Sequence, residues 1–176
     1  MNIQNKNIVI TGAANGIGHA LAKRLAEESP KSISLIDIKS SLNEVAGSLN
    51  ADSYIVDVSN ENDFQSVLKD IINKNNSIDL FCSNAGIQQF GTLETSTEDW
   101  QKNWDVNVMS HVYASKVLIP HMKKQKSGYI LLTVSAAGLL NMPGALAYAT
   151  TKHAAMGLAE NLSIMFGDDG IKVSTL

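Results

Sequence analysis

The sequence predicts an α/β protein built on a doubly wound parallel sheet with helices on both faces. Three observations predict it. Short apolar runs of strand length alternate with amphipathic stretches of helix length along the whole chain, which is the pattern of repeated βα units. The first run leads through a glycine cluster straight into a helical stretch. Five small or polar residues, Gly12, Asp37, Asp57, Asn84 and Ser135, each fall where a predicted strand ends. Right-handed crossovers bring the ends of parallel strands to one edge of the sheet, and ligands bind at that edge. The five residues are therefore candidates for a single site.

A chain of 176 residues with 44% hydrophobic and 18% charged residues reads as one globular domain, residues 1–176. At that size it buries about two-thirds of its unfolded surface. The net charge of −3 argues against a nucleic-acid partner. The one basic cluster, Lys123-Lys124-Gln-Lys126, sits at a predicted helix end, where lysines suit the dipole. Cys82 is the only cysteine, so no intrachain disulfide is possible and a reducing compartment fits. Residues 1–6 carry no signal-peptide pattern and no apolar run is long enough to span a bilayer, so the expectation is a cytoplasmic protein without membrane contact. The histidines at 19, 111, 121 and 153 have no metal-ligand spacing and read as surface or core residues; no metal is expected.

Residues 7–10 read as the first strand. Thr11-Gly-Ala-Ala-Asn-Gly-Ile-Gly18 then turns into a helix with Ile17, Leu21 and Leu25 on one face, which Pro30 is expected to end. Glycine allows a tight turn and close approach of backbone to a phosphate, and a helix N-terminus favours an anion. The spacing Gly-x-x-x-Gly-x-Gly departs from the general dinucleotide fingerprint, so alone it fits either a nucleotide turn or an ordinary strand–helix turn. Residues 32–36 read as the second strand, ended by Asp37, which lies 19 residues beyond Gly18. An acid at that point contacts an adenosine ribose in dinucleotide-binding sheets; a polar residue that merely ends a strand is the simpler alternative. A carboxylate there accepts from the 2′-hydroxyl of NAD and repels the 2′-phosphate of NADP. Lys39 is the one nearby cation that would favour NADP.

A weak helix follows around residues 42–49, then a third strand over 53–56, ended by Asp57. Phe64, Val67, Leu68, Ile71 and Ile72 recur at helical spacing, predicting an amphipathic helix. Residues 78–82 read as the fourth strand. Ser83-Asn84-Ala85-Gly86 turns out of it, either to let backbone pass close to a cofactor or as a plain loop. Thr95-Ser-Thr-Glu98 has the form of a capping box. It opens a helix to about residue 123 with Trp104, Val108, Val112, Leu118 or Ile119, and Met122 facing inward. Asn107 in mid-helix is a poor helix former, so it is either a satisfied core amide or a device that bends the helix and holds a water. Pro120 should bend or tighten the last turns. The fifth strand runs from 128 to 135, and residues 138–146 form an apolar loop with a Pro143-Gly144 turn. A helix from about 148 to 166 buries Ala155, Ala159, Leu162 and Phe166. Gly167-Asp-Asp-Gly170 breaks it, and residues 171–176 begin a sixth strand.

Tyr148 and Lys152 are four residues apart on that last helix, so they lie one above the other on one face. A tyrosine alone is a poor acid or base near neutral pH. A cation nearby favours the phenolate, and such a phenol can exchange a proton with an alcohol or carbonyl oxygen. Ser135, 13 residues before Tyr148, stands at a strand end where its hydroxyl can donate to the same oxygen. The pair by itself is a common accident of surface helices; its setting in this chain gives it weight.

Taken together, these residues resemble the short-chain dehydrogenase/reductase family over nearly the whole chain. Thr11-Gly-Ala-Ala-Asn-Gly-Ile-Gly18 looks like the family's glycine motif, Asp57-Val58 like its adenine-contacting pair, and Asn84-Ala85-Gly86 like its Asn-Ala-Gly turn, although Ser83 replaces the asparagine often found first. Asn107, Ser135, Tyr148 and Lys152 match its four catalytic positions. The resemblance implies a doubly wound (Rossmann) parallel sheet binding NAD, with NADP less favoured, through Gly12, Asn15, Gly16, Ile17, Gly18, Asp37, Asp57, Val58, Asn84, Ala85, Gly86, Tyr148 and Lys152. It implies hydride transfer between NAD(H) and a secondary alcohol or ketone. Tyr148 is then the general acid/base, Lys152 lowers its pKa and bonds the nicotinamide ribose, and Ser135 polarises the substrate oxygen. Asn107 binds a water that passes the proton on. The family also implies a homodimer or homotetramer packed through the Asn107 and Tyr148 helices. Gln88, Gln89, Leu139, Leu140 and Met142 are expected to border a mostly apolar substrate.

The family normally continues past the sixth strand with a Pro-Gly turn, a mobile segment over the substrate and a seventh strand. From this sequence alone the expectation is that this part is absent, leaving residues 171–176 as a sheet edge. A truncated NAD-binding or scaffolding protein with no turnover is therefore the alternative to an active dehydrogenase.

Overall fold

Alternate residues of each strand face opposite sides of a sheet, and here both sides are apolar. In β1 (Asn7–Thr11), Ile8 and Ile10 point to one face and Val9 to the other. In β4 (Leu80–Ser83), Leu80 and Cys82 share the first face and Phe81 takes the second. A sheet buried on both faces needs helices on both. The computed structural model, which describes residues 2–176, has six parallel strands in the order β3-β2-β1-β4-β5-β6. The other strands are β2 (Ser32–Asp37), β3 (Asp52–Ile55), β5 (Gly128–Leu132) and β6 (Ile171–Thr175). The order reverses between β1 and β4, which opens a crevice at their carboxyl ends.

Helices α1 (Gly16–Ala26) and α2 (Leu42–Leu49) cover one face, where Ala22, Leu42 and Ala46 pack on Ile8, Ile10 and Leu35. The other face is covered by α3 (Glu61–Asn75) and by two long helical segments. The first of these is α4 (Thr97–Trp104), a π-helical turn (Asp105–Met109) and α5 (Ser110–Gln125). The second is α6 (Leu146–Phe166). Phe64, Leu68 and Ile71 of α3 meet Leu118 and Met122 of α5 over Phe81 and Ile130. Ala155 and Ala159 bring α6 close to the sheet. β6 stands at the sheet edge.

Several expectations from periodicity are corrected. α1 stops at Ala26, four residues before Pro30, and the turn passes through Ser29 at φ 53°. Ile17 is 57% exposed rather than packed with Leu21 and Leu25, because its turn of α1 overhangs the crevice. The cap of α4 is Ser96, whose hydroxyl accepts from Asp99 N at 3.1 Å, not Thr95. Several Ser and Thr residues compete for that role locally, and the first turn's direction decides it. Trp104 is 38% exposed, since the π turn that follows shifts the helix face. Strands three, four and five are displaced by one to three residues. β5 stops at Leu132, although one further bond, from Val134 N to the Leu176 carbonyl at 3.0 Å, continues its pairing toward Ser135. As expected, the helix runs on past Pro120, which stands exposed inside α5 near its C-terminal end.

Candidate active site

A cleft of about 800 Å³ follows the carboxyl edge of the sheet from Asp37 and Asp57 at one end to Ser135, Tyr148 and Lys152 at the other. All five strand-end candidates, Gly12, Asp37, Asp57, Asn84 and Ser135, line it, as do Asn15, Gly16, Ile17, Val58, Ala85 and Gly86. Gly18 and Asn107 do not; both are buried behind it. Of the residues expected at the substrate side only Gln88 reaches the cleft. Leu139 and Leu140 are 72% and 69% exposed and do not line it. Gln89 instead accepts from the fully buried Asn103 at 2.8 Å, and Met142 receives a contact from Gln88 Nε2 at 3.5 Å.

The glycine turn is built for close approach. Gly12 has φ 66°, and an added Cβ would lie 2.8 Å from Ala85 Cα. Gly16 has φ 56° with open space in front of it, so bare backbone at the start of α1 faces the cleft. That is the setting in which helix N–H groups receive a phosphate. Gly18 serves packing: a methyl there would overlap the Gly12 carbonyl oxygen. Asp37 closes this end. One carboxylate oxygen accepts from Ala14 N at 2.9 Å and the other from Lys39 N at 3.0 Å. The glycine turn is thereby tied to the end of β2, and each oxygen keeps a lone pair to offer. Asp57 accepts from Ser59 N and Ser59 Oγ through one oxygen, leaving the other free. Asn84 links three strand ends: its amide donates to Thr11 O at 3.1 Å, its oxygen accepts from Thr133 Oγ1 at 3.0 Å, and its N–H meets Thr11 Oγ1 at 2.9 Å.

At the opposite end, Tyr148 and Lys152 lie in the first two turns of α6, with Lys152 Nζ 5.7 Å from the tyrosine ring centre. Lys152 is only 3% exposed, and Nζ donates to the Thr133 carbonyl at 3.0 Å. Burial pushes its ammonium down to about 8, because a low-dielectric site disfavours the charged form. Ser135 Oγ accepts from Ala137 N at 3.1 Å, capping a short 3-10 turn. Its own hydroxyl hydrogen remains available to a ligand. Asn107 sits in the π turn, fully buried. Its oxygen accepts from Ile87 N and its amide donates to Ile87 O, both at 2.9 Å, and to Thr151 Oγ1 at 3.1 Å. Both side-chain donors are therefore spent on protein, which fits the satisfied core amide, and the residue stands within the π turn. Thr133 and Thr151, which hold Lys152 and Asn107, were not singled out from sequence; nothing in their local pattern distinguishes them.

Among the described residues no three His, Cys, Asp or Glu side chains are grouped as metal ligands, and no helix is long and apolar enough to cross a membrane. A glycine turn at the switch point of an open parallel sheet, with a carboxylate at the next strand end, defines the nucleotide-binding class of α/β protein. Residues 6–176 match the family model for short chain dehydrogenase, and the chain belongs to the short-chain dehydrogenase/reductase family of oxidoreductases. It is 33% identical over 180 residues to the meso-2,3-butanediol dehydrogenase of Serratia marcescens, covering 100% of this chain and 71% of that protein. The crystal structure of an NAD+-bound xylitol dehydrogenase superposes with a TM-score of 0.94 at 28% identity, over 99% of this chain and 70% of that one. A short-chain dehydrogenase/reductase from Burkholderia phymatum in complex with NAD superposes at 0.93 with 31% identity, over 99% and 66%.

Proposed function

We propose that this protein is an NAD(H)-dependent oxidoreductase interconverting a secondary alcohol and a ketone. The observation that carries the reading is that one cleft has Asp37 and bare glycine backbone at one end and Ser135, Tyr148 and Lys152 at the other. Both solved relatives described above hold NAD, which supports the same cofactor here. Gly12, Asn15, Gly16 and Ile17 would cradle the pyrophosphate, Asp37 the adenosine ribose, and Asp57 and Val58 the adenine. Asn84, Ala85 and Gly86 would border the nicotinamide side. The bound nicotinamide supplies the hydride donor or acceptor.

The chain's own residues manage the proton and the oxygen. Ser135, its oxygen already accepting from Ala137 N, would donate its hydroxyl hydrogen to the substrate oxygen and stabilise developing alkoxide charge. Tyr148 would give or take the proton at that oxygen. Lys152 would supply the adjacent cation and bond the nicotinamide ribose. Asn107 spends its side-chain donors on Ile87 and Thr151, so its part would be to hold the π turn, with a water on the main chain there. Exposed Phe90 and Leu93, on the segment that follows Gln88, and exposed Leu139 and Leu140, on the segment before its contact Met142, support a mostly apolar substrate with a polar handle. Exposed Ile164 and Met165 on α6 support self-association as a dimer or tetramer.

The test is NAD(H)-linked turnover on a panel of secondary alcohols and ketones, with Tyr148→Phe as the control. Turnover by the native protein, lost in Tyr148→Phe while NADH binding persists, is the expected result. Retained turnover would remove Tyr148 from its role, and NADH binding without turnover of any alcohol or ketone would favour a non-catalytic binding protein.

A further inference from the structure

A buried polar pair lies behind Lys152, outside the cleft. Ser83 ends β4 and is 3% exposed; His111 stands one turn along from Asn107 and is 2% exposed. Ser83 Oγ and His111 Nδ1 are 2.6 Å apart. The other ring nitrogen, Nε2, has no protein partner among the described residues. Ser83 is therefore the side chain that orients the imidazole.

Two further bonds carry this pair to the lysine. The Ser83 carbonyl accepts from Thr133 N at 3.0 Å, and the Thr133 carbonyl accepts from Lys152 Nζ at 3.0 Å. The path from α5 through the ends of β4 and β5 to α6 is thus hydrogen-bonded at every step. Thr133 follows β5 directly, and its N–H extends the pairing of β4 with β5 by one bond to the Ser83 carbonyl. Burial and the nearby Lys152 charge push the imidazole down to about 3. A neutral ring supplies a hydrogen bond without adding a second cation beside Lys152, which would cost far more in a buried site than in water.

We propose that Ser83 and His111 are positioning residues for the reaction: a hydrogen-bonded buttress that fixes the strand ends, and through them the carbonyl that holds Lys152 Nζ at the cleft. This rests on the catalytic reading of Lys152 given above.

Paired substitutions separate the bond from the fold. Ser83→Ala and His111→Phe remove the bond; Ser83→Thr and His111→Asn retain a bonding group. On the best alcohol of the panel, the first two should each lower kcat about tenfold, the loss of a transition-state contact rather than of binding, with NADH affinity nearly unchanged. The second two should stay within about threefold of the native rate. Acylation of Lys152 by acetic anhydride, read by peptide mass spectrometry, tests the same position without substrate. It should be faster in the two bond-less variants and unchanged in the other two. Native kcat and native Lys152 acylation in Ser83→Ala and His111→Phe would overturn the proposal, as would losses that follow melting temperature instead of bonding ability. Tyr148→Phe in the same series keeps the two readings apart. If it retains turnover the catalytic reading falls; if it is inactive while all four variants behave as native, the buttress alone falls.

Discussion

Lys152 Nζ donates to the main-chain oxygen of Thr133 at 3.0 Å, and no carboxylate among the described residues pairs with it. A buried ammonium that meets a carbonyl and an aromatic ring but no carboxylate is poorly compensated for its lost hydration, and burial pushes its pKa down to about 8. The same group that the proposed chemistry needs is thus a burden on the fold.

Replacing it should therefore stabilise the protein and silence it. The folded pKa of about 8 lies below the ordinary value of 10.5. Between those values the unfolded chain binds more protons, so stability rises with pH across the window, and the full cost is present below it. Two to three pKa units correspond to roughly 3 kcal/mol. Lys152→Met should melt higher than the native protein at pH 7 and show no turnover, with the gap closing from pH 8 to 10.5. Thermal melts across that range check it; equal melting at pH 7 would refute the burial argument.

His111 acts at the other end of the pH scale. Its imidazole, normally near 6.5, is held down to about 3 by burial, with the Lys152 charge adding to the effect. From pH 6.5 down to about 3 the unfolded chain takes up a proton that the folded chain refuses, so stability falls as pH falls. His111→Asn should lose less melting temperature between pH 6.5 and 4 than the native protein does. Parallel melting curves would show that the ring does not titrate as a buried base.

The two glycines of the α1 turn should fail differently. Gly16→Ala meets no atom but adopts φ 56°, a strain of about 1–2 kcal/mol for a side-chain residue. It should fold, melt a few degrees lower, and bind NADH at least about tenfold more weakly because its methyl enters the phosphate approach. Gly18→Ala would push a methyl into the Gly12 carbonyl and toward Asn84, so it should fail to fold stably. Calorimetry and NADH titration distinguish the two; the opposite ranking would show that the turn is not a phosphate cradle.

Asp37 has a structural role and, in the proposed function, a specificity role as well. Its two oxygens accept from Ala14 N and Lys39 N, so Asp37→Asn places an amide donor opposite one of those N–H groups. It should weaken NADH binding more than it improves NADPH binding, since relief of repulsion comes with a loosened glycine turn. The native protein should prefer NADH to NADPH in fluorescence titration; equal affinity for both would defeat the assignment.

Much of this was legible in the chain. The spacing of Phe64, Leu68 and Ile71 marked α3 because a core-facing helix must repeat its apolar face every 3.6 residues. The strand-end positions of Gly12, Asp37, Asp57, Asn84 and Ser135 followed from counting alternating elements, and all five line one cleft. Local competition was not legible. Thr95 and Ser96 are both capping residues, and only the path of the chain into α4 selects Ser96. Ile17 has the right spacing to pack with Leu21, but periodicity does not say where the sheet beneath a helix stops.

The order of strands and helices, the glycine turn and the one-face pairing of Tyr148 with Lys152 are written in the chain, because each depends on neighbours within a few residues. Folding alone brings the Asn107 amide to Ile87 and Thr151, Lys152 to Thr133, and His111 to Ser83. These partners lie on different elements and meet because the strands take the order β3-β2-β1-β4-β5-β6. An apolar period states which face of an element is buried; it carries no information about which polar group waits on the other side.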